Sequence, residues 1–136
     1  MLSLFEAARW APSSYNEQPW CFIIATKEQP QEFQKLWSCL VPANQEWAKE
    51  ASVLGLGVSH LIFDLNDKEN KAAIHDLGAA ASHLSLEATA RAISVHQIIG
   101  IEPERARKTY NIPNDYEVLT GFAIGYVNLN KNFQIY

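Results

Sequence analysis

The loop between positions 12 and 19 carries the side chains best suited to binding chemistry. It has a proline at each end and joins a predicted helix to an apolar run. Its hydroxyl and amide side chains can both donate and accept hydrogen bonds. On a loop held by a rigid scaffold, such groups suit the polar edges of a bound ring system. The same side chains would also be expected in a polar turn that bonds to its own backbone. The residues concerned are Ser13, Ser14, Asn16 and Gln18.

The remaining motifs do not indicate a metal centre or a phosphate-binding loop. His83 and Glu87 share one face of a predicted helix, but two ligands without a third do not make a metal site. Gly55 and Gly57 lack the third glycine and the following helix of a dinucleotide-binding motif. The sequence contains neither a nucleophile elbow nor a P-loop. We therefore predict no bound metal.

The composition is that of a globular protein, with 48% hydrophobic and 19% charged residues. A length of 136 residues suits one domain, so we expect a single domain over positions 1–136. The net charge of −4 argues against nucleic-acid binding. The longest apolar runs fall short of the roughly 20 residues that a membrane helix needs. No signal-peptide pattern opens the chain, so we expect a cytoplasmic protein that binds neither nucleic acid nor membrane.

The first half of the chain predicts two helices and two strands. The first helix is expected to open on a capping box, Ser3-x-x-Glu6, and to end by Pro12. An apolar run at positions 21–25 predicts a strand that is buried on both faces, and positions 53–58 predict another. Cys21 and Cys39 are expected to be buried thiols. The second helix should begin at Gln29-Pro30, with a core stripe of Phe33, Leu36, Trp37 and Leu40, and Asn44 should cap a short turn through Trp47.

The second half predicts a central helix between a surface loop and further strands. Positions 64–71 are the most polar and should form the loop, and a long helix should follow over positions 72–92. One side of that helix is made small by Gly78, Ala79 and Ser82, so a neighbouring backbone can approach it closely. The segment 94–100 leaves this helix, positions 103–110 predict a short helix, and positions 118–127 a last strand. Alternating helices and strands indicate one α/β or α+β domain.

Several motifs, taken in order, resemble the nitroreductase family. The stretch Ala8–Trp20 matches its pattern Ala-Arg-x-Ala-Pro-Ser-Ser-x-Asn-x-Gln-Pro-Trp. Asp76 opens a run to Ala88 that is similar to the family's central helix. Ile98-Ile99-Gly100 stands where the family offers backbone groups to the polar edge of a flavin. With the matches at positions 112–116 and 123–126, the resemblance covers roughly positions 4–127.

The resemblance implies an α+β fold, an α/β sandwich with a central mixed, mostly antiparallel sheet flanked by helices, in a homodimer. It implies an FMN enzyme that takes hydride from NADH or NADPH and passes electrons to nitroaromatics, quinones or similar small-molecule acceptors. No side chain carries over as a necessary acid or base, because the flavin itself relays the hydride. The residues that carry over as flavin contacts are Pro12, Ser13, Ser14, Asn16, Gln18, Ile99 and Gly100.

The sequence also departs from the family pattern. Members usually hold the FMN phosphate with an arginine-rich segment before the first helix and a basic residue near the C-terminus. Here the chain starts at the helix, and its tail offers only Lys131, so we expect poor discrimination between FMN and riboflavin. Ala92 stands where the family generally has glycine. The alternative function is therefore a flavin-free relative that keeps the fold as a binding or interaction module.

Overall fold

The computed structural model describes residues 1–127, and the predicted phosphate contact Lys131 lies outside them. A short 3-10 turn spans Ser14–Asn16. The five helices of the described residues are α1 Leu2–Arg9, α2 Pro30–Trp37, α3 Pro42–Ala48, α4 Ala73–Ala90 and α5 Pro103–Tyr110. Their four strands are β1 Trp20–Thr26, β2 Val53–His60, β3 Ser94–Ile98 and β4 Tyr116–Gly125. None of these helices is long and apolar enough to cross a membrane.

The four strands form one sheet in the order β1-β2-β4-β3. Trp20 pairs with Ser59 across β1 and β2, and Ile98 pairs with Gly121 across β3 and β4. Every neighbouring pair is antiparallel. A mixed, mostly antiparallel sheet was expected, but the sheet of residues 1–127 contains no parallel pair. β1 and β3 are the two edges of this sheet.

Helices cover both faces of the sheet, as the predicted α/β sandwich requires. Because successive strand residues point to opposite faces, Phe122 and Ile124 pack on one side and Ala123 on the other. The first side is covered by α1 and α4, through Leu4, Ala8, Ala80, Leu84 and Ala88. The second is covered by α2, α3 and α5, through Phe33, Leu36, Ala48 and Ala106.

Among the described residues, two of the three helix starts at a proline were predicted, since proline acts locally. α2 begins at Pro30 with Gln29 at its N-cap, and α5 spans Pro103–Tyr110 as predicted. Within the predicted core stripe of α2, Phe33 and Leu36 are buried and Trp37 is half-buried.

Two capping predictions were wrong. α1 begins at Leu2 with Met1 at its N-cap, so Ser3 lies inside the helix and caps nothing. Glu6 instead accepts hydrogen bonds from the side chains of Arg9 and Trp10. α3 begins at Pro42, so Asn44 lies within its first turn rather than before it.

The prediction that β1 is buried on both faces was also wrong. β1 is an edge strand, and Ala25 is its one buried residue. Cys21 is exposed for the same reason, contrary to expectation. Cys39 is buried as predicted, and burial raises the pKa of its thiol.

The C-terminus of α4 ends in a Schellman motif with alanine in place of the usual glycine. The N–H of Ile93 donates to the carbonyl of Ala88 over 2.9 Å, and the N–H of Ala92 donates to that of Thr89 over 3.0 Å. Ala92 has a φ of 56°, which lies in the left-handed region. That conformation costs a residue with a Cβ about 1–2 kcal/mol.

We expect Ala92→Gly to stabilise the protein by about 0.5–1 kcal/mol. The relief of left-handed strain exceeds the greater chain entropy that glycine has when unfolded. Urea unfolding measures the change. The matched control is Ala90→Gly in the last turn of α4, which should lower the free energy of unfolding by about 0.5–1 kcal/mol. A lower free energy of unfolding in Ala92→Gly would contradict the claim that Ala92 is strained.

Candidate functional site

The backbone of the loop at 12–19 is unusual. The N–H groups of Asn16 and Glu17 close the 3-10 turn onto the carbonyls of Ser13 and Ser14, each over 3.0 Å. Tyr15, Asn16 and Gln18 have φ values of 54°, 57° and 53°. Asparagine tolerates the left-handed region, whereas tyrosine and glutamine rarely adopt it. Such strain persists only where the surroundings hold it, and it often marks a functional segment.

Asp76 holds this loop from the inside. Its Oδ2 accepts a hydrogen bond from the N–H of Ser14 over 2.9 Å, and the residue is only 3% exposed. It lies in the first turn of α4, where the helix dipole favours a negative charge. The sequence motif assigned Asp76 to the helix, but its bond to the loop was missed. This bond could have been suspected from the sequence, because Asp76 is an aspartate near the start of a helix whose buried side is otherwise apolar.

The segment at 61–67 holds the loop from the outside. The rings of Tyr15 and Phe63 meet edge to face, with centroids 5.6 Å apart. The N–H of Asp64 donates to Oε1 of Glu17 over 2.7 Å. Tyr15 is itself left-handed, and Glu17 lies between the left-handed residues Asn16 and Gln18, so both contacts help to fix the strained backbone.

The predicted contact residues of this loop divide into two groups. Ser13 and Gln18 serve the turn itself, because Ser13 Oγ accepts the N–H of Gln18 over 3.0 Å. The Gln18 amide also donates to the carbonyl of Asn16 over 3.1 Å. Among residues 1–127, the side chains of Ser14 and Asn16 have no hydrogen-bond partner, and Asn16 and Pro12 are exposed. Ser14 and Asn16 are therefore the polar groups available to a ligand.

Gly100 makes a close contact with α3. Its carbonyl accepts hydrogen bonds from the N–H of Val41 over 3.1 Å and from Asn44 Nδ2 over 2.9 Å. A Cβ at Gly100 would lie 2.3 Å from that Nδ2, so any other residue here would displace the Asn44 amide. Since the carbonyl is occupied, this segment can offer a ligand its N–H groups and the side chain of Ile99, which is 78% exposed. Asn44 was missed as a site residue because a helix-capping role explained it at the sequence level.

The two sets of predicted contacts do not meet within one chain. The loop at 12–19 leads into β1 and is tied to α4, whereas Ile99 and Gly100 follow β3 and are tied to α3. β1 and β3 are opposite edges of the sheet, about 14 Å apart at the usual strand spacing. No hydrogen bond within residues 1–127 joins the two sets. The two sets therefore lie at opposite edges of the sheet of one chain, and we call each of them a predicted half-site.

We expect Asp76→Ala to lower the free energy of unfolding by about 1–3 kcal/mol, because it leaves the partly buried N–H of Ser14 without a partner. Hydrogen exchange should also become faster at the amides of residues 14–17.

The matched control is Glu104→Ala, which removes an exposed acid from the first turn of α5. It loses only the favourable interaction with a helix dipole and should change stability by less than about 1 kcal/mol. Equal effects of the two substitutions would show that Asp76 acts through the dipole alone.

The fold and the sequence are both similar to those of known proteins. The model of the nitroreductase family matches residues 1–126. No curated protein matches the chain. A solved oxidoreductase containing FMN shares 34% sequence identity with a TM-score of 0.88; the match covers 93% of this chain and 65% of that one. The chain thus spans slightly less than two thirds of that protein.

Two further structures share the fold at lower identity. A nitroreductase family protein from Streptococcus pneumoniae TIGR4 has 18% identity and a TM-score of 0.74, with 98% of this chain and 83% of that one covered. An FMN-dependent nitroreductase from Clostridium difficile R20291 has 21% identity and a TM-score of 0.76, with coverages of 95% and 75%. Since the family model matches all but one of the described residues, the chain belongs to the nitroreductase family.

Proposed function

We propose that this chain is an FMN-dependent oxidoreductase that takes electrons from NADH or NADPH. Its acceptor would be a small molecule such as a nitroaromatic compound or a quinone. The observation that carries the proposal is the strained loop, which holds the unpaired polar groups of Ser14 and Asn16 beside α4. The likeness to a solved oxidoreductase containing FMN, at 34% identity, supports the same cofactor.

The residues present fit the ring of a flavin. Its polar edge needs both donors and acceptors, which the Asn16 amide and the Ser14 hydroxyl supply. The Ile99–Gly100 segment adds N–H donors, and the exposed side chain of Ile99 adds an apolar surface. When bound, FMN supplies the hydride and electron transfer, and the protein binds and orients it. The proposal assigns no side chain as an acid or base.

We further propose a homodimer in which the loop of one chain faces Gly100 of the second. The separation of the two half-sites on opposite sheet edges supports this arrangement. α4 also presents an apolar outer face: Ile74 is 41% exposed, Leu86 is 67% exposed, and nothing lies within 4 Å of a Cβ built on Gly78. A face of this kind is suited to contact a second subunit, and two-fold dimers are the commonest oligomers.

A flavin-free interaction module is the second candidate. It is favoured by the bonds within the loop, because Ser13 Oγ accepts the backbone N–H of Gln18 and the Gln18 amide donates to the carbonyl of Asn16, as in a plain polar turn. The two candidates differ in whether the purified protein holds FMN.

Titration of the full chain with FMN tests the proposed function. We expect the protein to retain the visible absorbance of flavin after gel filtration, and NADH or NADPH to bleach it until a quinone is added. Asn16→Gly should then weaken FMN binding by about five- to a hundredfold, since a polar group of the ring loses its partner. Glycine keeps the left-handed backbone without strain, and its greater chain entropy when unfolded should lower the stability of the flavin-free variant by no more than about 1 kcal/mol.

Asn16→Ala is the paired variant. It loses the same amide but also places a Cβ at a φ of 57°, so it should lose flavin affinity and about 1 kcal/mol of stability. Retention of no flavin by the wild type would favour the interaction module. Unchanged affinity in Asn16→Gly would show that Asn16 only shapes the turn.

Mixed dimers test whether the site is shared. Asn16→Gly damages one half-site and Gly100→Ala the other, so each variant alone should bind FMN weakly. A mixed dimer contains one site with both changes and one with neither. Random exchange makes half of the dimers mixed, so about a quarter of the sites should regain wild-type affinity. Measurement is by FMN titration of the two variants before and after co-refolding. No recovery, with dimers present, would contradict a shared site.

A further inference from the structure

α3 presents two side chains toward the segment that follows β3. Asn44 and Trp47 are three residues apart and therefore lie on the same face of the helix. The indole Nε1 of Trp47 donates to Oδ1 of Asn44 over 3.2 Å, and Nδ2 of Asn44 donates to the carbonyl of Gly100 over 2.9 Å. The Trp47 ring also packs against the ring of His96 on β3, with centroids 4.8 Å apart.

The chemistry of these partners sets the orientation of the Asn44 amide. An indole nitrogen can only donate a hydrogen bond, so the amide atom beside it must be the oxygen. A carbonyl oxygen can only accept, so the atom beside Gly100 must be the nitrogen. Both neighbours require the same orientation. If the amide flipped, its nitrogen would face the indole N–H of Trp47 and its oxygen would face the carbonyl of Gly100, and both hydrogen bonds would be lost.

The backbone at Gly100 depends on this amide. Glycine has no Cβ to restrict its dihedral angles, so bonds must fix them. The carbonyl of Gly100 is held by Asn44 and Val41, and the N–H of Ile101 closes onto the carbonyl of Ile99 over 2.9 Å. Together these bonds occupy both carbonyls of the segment Ile99–Gly100 and set the direction in which the N–H of Gly100 points.

We propose that Trp47 is a positioning residue of the flavin site, which acts through Asn44 to fix the backbone of Gly100. This inference rests on the proposed function, since Gly100 belongs to the half-site assigned to the polar edge of FMN. His96 contributes by holding the Trp47 ring in place. The Trp47–Asn44 pair thus orients a backbone donor that the sequence motif alone could not orient.

Trp47→Phe in the full chain tests this proposal. The substitution removes the indole N–H but keeps an aromatic ring beside His96. We expect the dissociation constant for FMN to rise about three- to tenfold, the range of one neutral hydrogen bond. The midpoint potential of the bound flavin should also shift, because a misdirected N–H donor changes the charge distribution that the ring experiences. A role in stability alone would leave this potential unchanged.

The matched control is Trp37→Phe. The indole of Trp37 also donates to α3, over 2.9 Å, but to the carbonyl of Gln45 and not to Asn44. This variant should keep the wild-type affinity and potential. In an Asn44→Ala background, Trp47→Phe should change the affinity by less than about twofold, because the two residues act in series.

Hydrogen exchange on flavin-free protein separates this inference from the proposed function. Trp47→Phe should speed exchange at the amides of Val41 and Ile101, whereas Trp37→Phe should not. If the wild type holds no FMN, the proposed function fails, and exchange still decides whether Trp47 fixes this backbone. The inference would be overturned if exchange in Trp47→Phe were unchanged, or if Trp47→Phe and Trp37→Phe had equal effects. It would also be overturned if Trp47→Phe kept its full effect in the Asn44→Ala background.

Discussion

The carboxylate of Asp76 receives the N–H of Ser14 from a residue 62 positions away in the chain, in a place almost closed to solvent. The polar face of the loop depends on that bond. Three of the four residues 15–18 are left-handed, and Tyr15 and Gln18 would relax to ordinary conformations in a free peptide, since this backbone costs each of them about 1–2 kcal/mol. The start of α4 supplies both the carboxylate and a dipole that favours its charge. Ser14 and Asn16 therefore owe their exposure and direction to a helix that lies far from them in sequence.

The strand order separates the two predicted half-sites. With β2 and β4 in the centre, the segments that precede β1 and follow β3 are held at opposite edges, each by a different layer of helices. Each predicted half-site has its own hydrogen bonds: one has those of Asp76 and Glu17, the other those of Val41 and Asn44. Whether the two predicted half-sites meet across a dimer is therefore the main structural question that this geometry raises.

Local signals predicted the parts of the fold that local chemistry determines. The prolines at 30 and 103 opened helices as expected, because the lost N–H and fixed φ of proline act within one turn. The apolar stripe of α2 likewise predicted its buried face. The motif at 12–18 predicted this loop as a binding segment, but its sequence could not distinguish Ser13 and Gln18, which bond within the turn, from Ser14 and Asn16.

The errors arose where a residue's role depends on a distant partner. Asn44 resembled a helix cap, but its amide bonds to Gly100, 56 positions away. Cys21 was expected to be buried because its neighbours are apolar, yet the order of strands makes β1 an edge. Ser3 and Glu6 had the spacing of a capping box, but α1 begins before Ser3. Neither strand order nor long-range pairing can be read from one sequence.

The distance of 2.3 Å between a Cβ built on Gly100 and the Asn44 amide has an evolutionary consequence. A side chain at position 100 and the observed position of the Asn44 amide exclude each other. A larger residue at position 100 would push this amide away from the carbonyl that it holds, so a change at one position alters what the other can do. The two positions should therefore vary together among relatives of this chain, although 55 residues separate them in the sequence.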